Sequence, residues 1–164
     1  MKELLVIRHA KSSWANLGQD DFDRPLNERG IKDAPEMARR LIARSIMIDT
    51  FISSTAKRAL STATFFAEAF HKSVNDINQK QELYHAPSER YYPIIKKINP
   101  LMNTVAIFAH NPGITDFVNS LNIMHIDNMP TCGVFAVKLH TTEWSEFITC
   151  KKDFWFFDYP KLEQ

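Results

Sequence analysis

Two histidines and two arginines stand where short apolar runs of the sequence end. Arg8-His9 follows Leu4-Leu5-Val6-Ile7, His110 follows Val105-Ala106-Ile107-Phe108-Ala109, and Arg58 lies one turn into a helical pattern after Phe51-Ile52-Ser53. A neutral imidazole can attack phosphorus, while guanidiniums grip phosphoryl oxygens in pairs and offset the charge that builds in the transition state. His9, Arg8, Arg58 and His110 therefore form a set sufficient for phosphoryl transfer through a phosphohistidine, with no metal and no cofactor. A lone Arg-His pair after a strand is more often a solvated strand end, so the argument rests on the joint occurrence. The three positions are roughly 50 residues apart, the spacing of separate β-α units, and only the fold can bring them together.

The elements that must do so are readable from periodicity. Residues 4–7 form a continuous aliphatic run, the pattern of a strand buried on both faces of a parallel sheet. Residues 10–30 read as loop, with Asn27 as N-cap of a helix carrying Ile31, Ala34, Met37, Ala38, Leu41 and Ile42. Residues 49–53 give the next strand, and Ser54-Thr55 caps a helix bearing Ala59, Leu60, Ala63, Phe66, Ala67 and Phe70. A short extended piece at 81–83 and a helix over 88–98, broken near Pro93, lead to the strand at 105–109. Ile114, Phe117, Val118 and Leu121 then share a helical face, and residues 134–137 and 147–150 supply further strands. Strands alternating with helices predict a three-layer α/β sandwich with a mostly parallel central sheet flanked by helices, in one domain over residues 1–164. In such sheets ligands bind outside the carboxyl ends of the strands, where the four residues fall.

Composition narrows the chemistry further. With 20 Lys plus Arg against 19 Asp plus Glu, the net charge of +1 gives no general nucleic-acid footprint. The apolar runs are far shorter than the ~20 residues of a membrane span or the ~7–15 of a signal peptide core, so the expected location is the cytoplasm. Four glycines allow neither G-x-G-x-x-G nor G-x-x-x-x-G-K-[ST], so a phosphate must be held by side chains. Cys132 and Cys150 lack a close-spaced partner and lack an arginine six residues on, which argues against a zinc site, a disulfide framework or a cysteine phosphatase loop. Asp21-Phe22-Asp23 imitates an aspartyl phosphatase motif but follows polar loop sequence. His71, His125 and His140 have no comparable company and read as surface residues, and Phe154-Trp155-Phe156-Phe157 reads as core or sheet edge.

Leu5-Val6-Ile7-Arg8-His9-Ala10, Ser53-Ser54-Thr55-Ala56-Lys57-Arg58-Ala59 and Phe108-Ala109-His110-Asn111-Pro112-Gly113 resemble the three sequence blocks of the histidine phosphatase superfamily, which includes the phosphoglycerate mutases. The compact length and Arg24-Pro25-Leu26-Asn27-Glu28-Arg29-Gly30 look most like its SixA-type phosphohistidine phosphatase branch. The resemblance implies a phosphoglycerate-mutase-like fold, His9 as the nucleophile that is transiently phosphorylated, and a phosphate pocket of Arg8, Arg58 and His110. Two positions depart from the family: Ala10 stands where Gly is usual, and the acidic proton donor of the mutases has no match beyond Glu82 or His85. A phosphohistidine leaving group needs less protonation than an alkoxide, which favours the SixA-type branch. The expected partner is a phosphohistidine-bearing phosphotransfer protein in signalling, or else a small phosphorylated substrate, with neither nucleic acid nor membrane involved. The alternatives are a phosphatase of small phosphate esters and a catalytically idle phosphate-binding module. With little chain between Arg58 and His110 to form a lid, the site is expected to be shallow.

Overall fold

The computed structural model describes residues 1–163. Ten regular elements follow one another as β1 (Lys2–Arg8), α1 (Glu28–Ala43), β2 (Thr50–Ser53), α2 (Lys57–Ala69), β3 (Asn78–Gln79), α3 (Tyr91–Lys96), β4 (Thr104–Ala109), α4 (Gly113–Ser120), β5 (Val134–Leu139) and β6 (Lys152–Asp158), with 3-10 turns between several of them. The strands form one sheet in the order β3-β2-β4-β1-β5-β6. All pair in parallel up to β1; β5 runs against both of its neighbours.

The aliphatic run within β1 is continuous because both of its faces are covered. Leu4 and Val6 point into one apolar layer with α3, α4 and Trp144, while Leu5 and Ile7 point into the other with α1 and α2. Successive side chains alternate between the two cores, so residues 4–7 are all apolar and the polar residues of the strand, Lys2, Glu3 and Arg8, stand at its ends. β4, with every residue buried, obeys the same rule. This is the three-layer α/β sandwich that the alternating pattern predicts.

Local sequence fixes the helix that borders the site. Asn27 accepts a hydrogen bond from the Gly30 amide at 2.9 Å, capping α1. The buried stripe of α1 is Gly30, Ala34, Met37, Ala38 and Leu41, whereas Ile31 and Ile42 are 51% and 44% exposed. Ile31 and Ile42 thus flank the stripe, while the small residues within it allow close approach to the core.

Several expectations need correcting. α2 begins at Lys57 with Ala56 as its cap; Ser54 instead accepts the Ala56 amide at 3.3 Å, from outside the helix. Residues 81–83 make a 3-10 turn, and the short extended pair lies at Asn78–Gln79. The break in the 88–98 helix falls before Tyr91, leaving Pro93 in the first turn of α3, where a missing N–H costs nothing. Residues 147–150 are not a strand. Phe147 is buried as a plug beneath the α4 layer, Ile148 is 56% exposed, and the strand forms from the aromatic run in β6, at the sheet edge. No helix among the described residues is long and apolar enough to cross a membrane.

Candidate active site

Register places the site. Arg8 pairs with Ala109 and Ser53 with Phe108, so β1, β2 and β4 end level with one another and release His9, Ser54 and His110 at one edge. The backbone of His9 is pinned on two sides, its amide donating to Ala109 and its carbonyl accepting from Cys132, each at 3.1 Å. The imidazole lies 5.2 Å, centre to centre, from that of His110. Its Nδ1 is 2.7 Å from the Ala10 carbonyl. A carbonyl only accepts, so Nδ1 carries the proton and Nε2 keeps its lone pair. Burial, reinforced by Arg58, Arg8 and Arg24, holds the His9 pKa down to about 3 against the opposing pull of the Ala10 hydrogen bond. The ring is neutral at pH 7.

His110 is held in the same way. Burial first, then His9, Arg58 and His85, push its pKa down to about 2. Its Nε2 lies 2.7 Å from the Ser54 hydroxyl, and its buried Nδ1 has no hydrogen-bond partner. Ala10, the position where glycine is usual, has no positive φ and is fully buried, its amide donating to Thr62 of α2 at 2.9 Å. A methyl group at that position is therefore accommodated without strain.

Arg58 and Arg24 converge on one carboxylate. Arg58, 3% exposed, donates to the Asp21 carboxylate at 3.0 Å and to its backbone carbonyl at 2.6 Å. Arg24 donates to the other carboxylate oxygen at 3.1 Å and to Ser12 at 2.7 Å, with its guanidinium 3.5 Å from the centre of the Trp14 ring. Tyr84 donates its hydroxyl proton to Asp21 at 2.7 Å. Burial raises the Asp21 pKa, but hydrogen bonds from Tyr84 and Arg58 outweigh it and hold the carboxyl well below the usual range. Arg8 donates to the Met129 carbonyl at 2.8 Å, and the Nε atoms of Arg8 and Arg58 are buried without partners.

These groups surround a cavity of about 240 Å³ lined by Arg8, His9, Lys11, Arg24, Arg58 and His110, among others. Four cations face the single carboxylate of Asp21, an arrangement that holds an anion. The structure thus brings together all four residues singled out in sequence. It adds Asp21, Arg24, Tyr84 and Lys11, which sequence reasoning left in a loop or unassigned. Of the two candidate proton donors, His85 lines the cavity with its Nε2 3.4 Å from Asp21, while Glu82 lines a separate cavity of about 510 Å³ beside α3. His71, His125 and His140 are exposed, as expected. The walls come mainly from residues 8–24, and Trp14 and the His85 side chain remain 69% and 63% exposed. Among the described residues, no group of three or more His, Cys, Asp or Glu side chains is placed so that it could hold a metal ion.

Residues 4–84 match the histidine phosphatase superfamily (branch 1). The chain belongs to this superfamily. A solved structure assigned as phosphohistidine phosphatase SixA from Agrobacterium tumefaciens superimposes with a TM-score of 0.78 at 27% identity, covering 97% of this chain and 98% of that one. An uncharacterised chloroplastic protein of Arabidopsis thaliana is 27% identical over 153 residues, 88% of this chain and 70% of that protein. Phosphoserine phosphatase 1 of Hydrogenobacter thermophilus is 36% identical over 87 residues, 52% of this chain and 40% of its own length. Membership in the histidine phosphatases and the SixA-like fold together support phosphatase activity. The first two family blocks, carrying His9 and Arg58, lie inside the matched region; His110 lies beyond it.

Proposed function

We propose that the protein hydrolyses phosphoryl groups through a covalent phosphohistidine on His9, and that its substrate is a phosphohistidine borne by a signalling phosphotransfer protein in the cytoplasm, where its two unpaired cysteines would stay reduced. The observation that carries this reading is the hydrogen bond from His9 Nδ1 to the Ala10 carbonyl, which leaves Nε2 unprotonated amid the arginines. In the first step Nε2 attacks phosphorus, the bond to the leaving nitrogen breaks, and that nitrogen takes the electron pair and a proton. In the second step water attacks the phosphorus on His9, the P–N bond breaks, and inorganic phosphate departs with the imidazole restored. Arg8 and Arg58, each with an unpartnered Nε, bind the non-bridging oxygens and stabilise their growing charge. His110 contributes its unpartnered Nδ1–H when the Ser54 hydroxyl donates to Nε2.

The identity of the leaving group follows from the proton supply. Asp21 is ionised and committed to Arg58, Arg24 and Tyr84, so it has no proton to give. A departing imidazole is protonated readily, whereas an alkoxide requires a positioned acid. The second reading, hydrolysis of small phosphate esters, is favoured by His85, an imidazole at the cavity rim able to act as that acid. The six-stranded sheet that carries the site is built from residues 2–158, in keeping with a single catalytic domain.

Rapid quenching with a labelled phosphohistidine protein should trap an acid-labile adduct on the wild type and none on His9→Ala. The value of kcat/KM should be much higher for that protein than for phosphoserine or phosphoglycerate. Equal labelling of His9→Ala would remove the nucleophile assignment, equal efficiency on small esters would establish the second reading, and no turnover of any substrate would leave a phosphate-binding module.

A further inference from the structure

A second cavity of about 330 Å³ adjoins the catalytic one, and Arg8, Lys11 and Thr131 line both. Beyond these shared residues its walls include Arg29, Tyr159 and Lys161, so four cations border it and, among the described residues, no carboxylate does. We propose that this pocket binds a second anionic group of the substrate, adjacent to the phosphoryl group that reacts. The inference rests on the reading of the His9 cavity as the phosphoryl site and extends it to what the substrate must carry beside that phosphoryl group.

The cations are held in place by bonds that do not consume them. Lys11 is fixed through its backbone: its carbonyl accepts from the Asn27 amide at 3.0 Å and lies against α1, where a Cβ at Gly30 would come within 2.2 Å of it. Glycine at position 30 is thus what lets the loop after β1 touch the first turn of α1, setting Lys11 beside Arg29. Arg29 is steadied by Asp33 at 3.5 Å and by donation to the Thr131 hydroxyl at 3.0 Å. Lys161 comes from the segment after β6, which α1 fastens down: Arg40 donates to Asp158, fully buried, at 3.0 Å and to the carbonyls of Tyr159 and Pro160 at 3.1 Å. The Leu162 amide closes a turn onto Tyr159 at 2.9 Å. Among the described residues, no ion pair engages Lys11 or Lys161.

A phosphoryl group in the first cavity occupies Arg8 and Arg58 and leaves Lys11 and Lys161 facing space without a counter-charge among the described residues, beside an Arg29 that Asp33 pairs from one side. Like charges collected on preorganised supports are relieved by an anion, and charge-assisted hydrogen bonds to it are among the stronger polar contacts. The group recognised is a carboxylate or a second phosphate. It comes either from an acidic side chain next to the phosphorylated residue of a protein or from a small molecule with two anionic groups.

Titration calorimetry in phosphate-free buffer tests this without turnover. The probes are methylphosphonate and alkylene bisphosphonates with tethers of one to four carbons, applied to the wild type and to Arg29→Ala/Lys161→Ala. We expect at least one bisphosphonate to bind the wild type about tenfold more tightly than methylphosphonate, and the double variant to lose most of that ratio. A flat tether series, or a ratio the double variant retains, overturns the second site. An enzyme that turns over substrate with a flat series refutes the subsite alone, while the bisphosphonate preference in a protein with no turnover refutes the proposed activity alone. A non-hydrolysable phosphohistidine analogue in a peptide, flanked by aspartates or by alanines, separates the sources. An aspartate-dependent gain that the double variant loses supports a protein-borne anion, and a gain confined to bisphosphonates supports a small bis-anion.

Discussion

Acidifying the protein from pH 7.5 to pH 5 should weaken its fold through His9 and His110, by an amount set by their burial. An unfolded histidine titrates near 6.5, so at pH 5 it is almost fully protonated. In the folded protein the two sites titrate near 3 and 2, so both rings stay neutral at pH 5. Because the folded values are depressed, each contribution to stability is complete above pH 6.5 and is lost as the pH falls below it. The slope is about 1.4 kcal/mol per pH unit per histidine, which gives about 2 kcal/mol for each ring at pH 5. Urea unfolding followed by circular dichroism at the two pH values measures the loss, in phosphate-free buffer because an anion in the cavity would stabilise the fold on its own. The pH-induced loss in wild type minus that in His110→Gln cancels every other titrating group and should be about 2 kcal/mol, and likewise for His9→Gln. Equal losses in wild type and variant would refute the neutral, buried imidazoles and, with them, the preformed nucleophile.

Asp21→Asn should lower kcat/KM on an aryl phosphate by tenfold or more, because Arg58 and Arg24 lose the carboxylate that aims them; unchanged kinetics would show that the arginines hold their own positions. Arg40→Leu removes the 3.0 Å partner of buried Asp158, which keeps Arg44 at 3.5 Å, and should cost about 1–3 kcal/mol in chemical denaturation. Gly30→Ala drives a methyl group against the Lys11 carbonyl and should cost about 1–3 kcal/mol, with selectivity for bis-anions falling more than turnover of an aryl phosphate. Chelator should leave turnover intact while vanadate competes with substrate, since nucleophile and charge stabilisers are all side chains of the chain itself; activity restored only by added Mg²⁺ or Zn²⁺ would refute this.

The parts of the molecule that were legible in sequence are those governed by a local rule. β1 and β4 announce themselves because a strand covered on both faces admits no polar residue, and the first polar residues after each, Arg8-His9 and His110, mark the sheet edge. Asp21 was not legible, since its partners Arg58 and Tyr84 are 37 and 63 residues away and nothing in the spacing of a loop encodes their meeting. The strand misplaced at 147–150 has a similar cause: Phe147 and Ile148 look like a strand, but only Phe147 is buried, and the decision between them and 152–158 belongs to pairing with β5. In α1, periodicity found the helix and the centre of its buried face, Ala34, Met37, Ala38 and Leu41, but not its edges, where Gly30 is buried and Ile31 and Ile42 are exposed.

The place of β1 in the sheet has a consequence for how the protein comes into being. The strand that leads into His9 leaves the ribosome before both of its neighbours, residues 104–109 and 134–139, which are made a hundred or more residues later. Until those residues are made, Leu4, Leu5, Val6 and Ile7 have no strand to pair with, the condition in which nascent chains depend on chaperones. No shorter N-terminal product can display a fully supported His9, because its carbonyl accepts from Cys132 and its amide donates to Ala109. The chemistry therefore switches on all at once, when residues 104–139 arrive to flank β1.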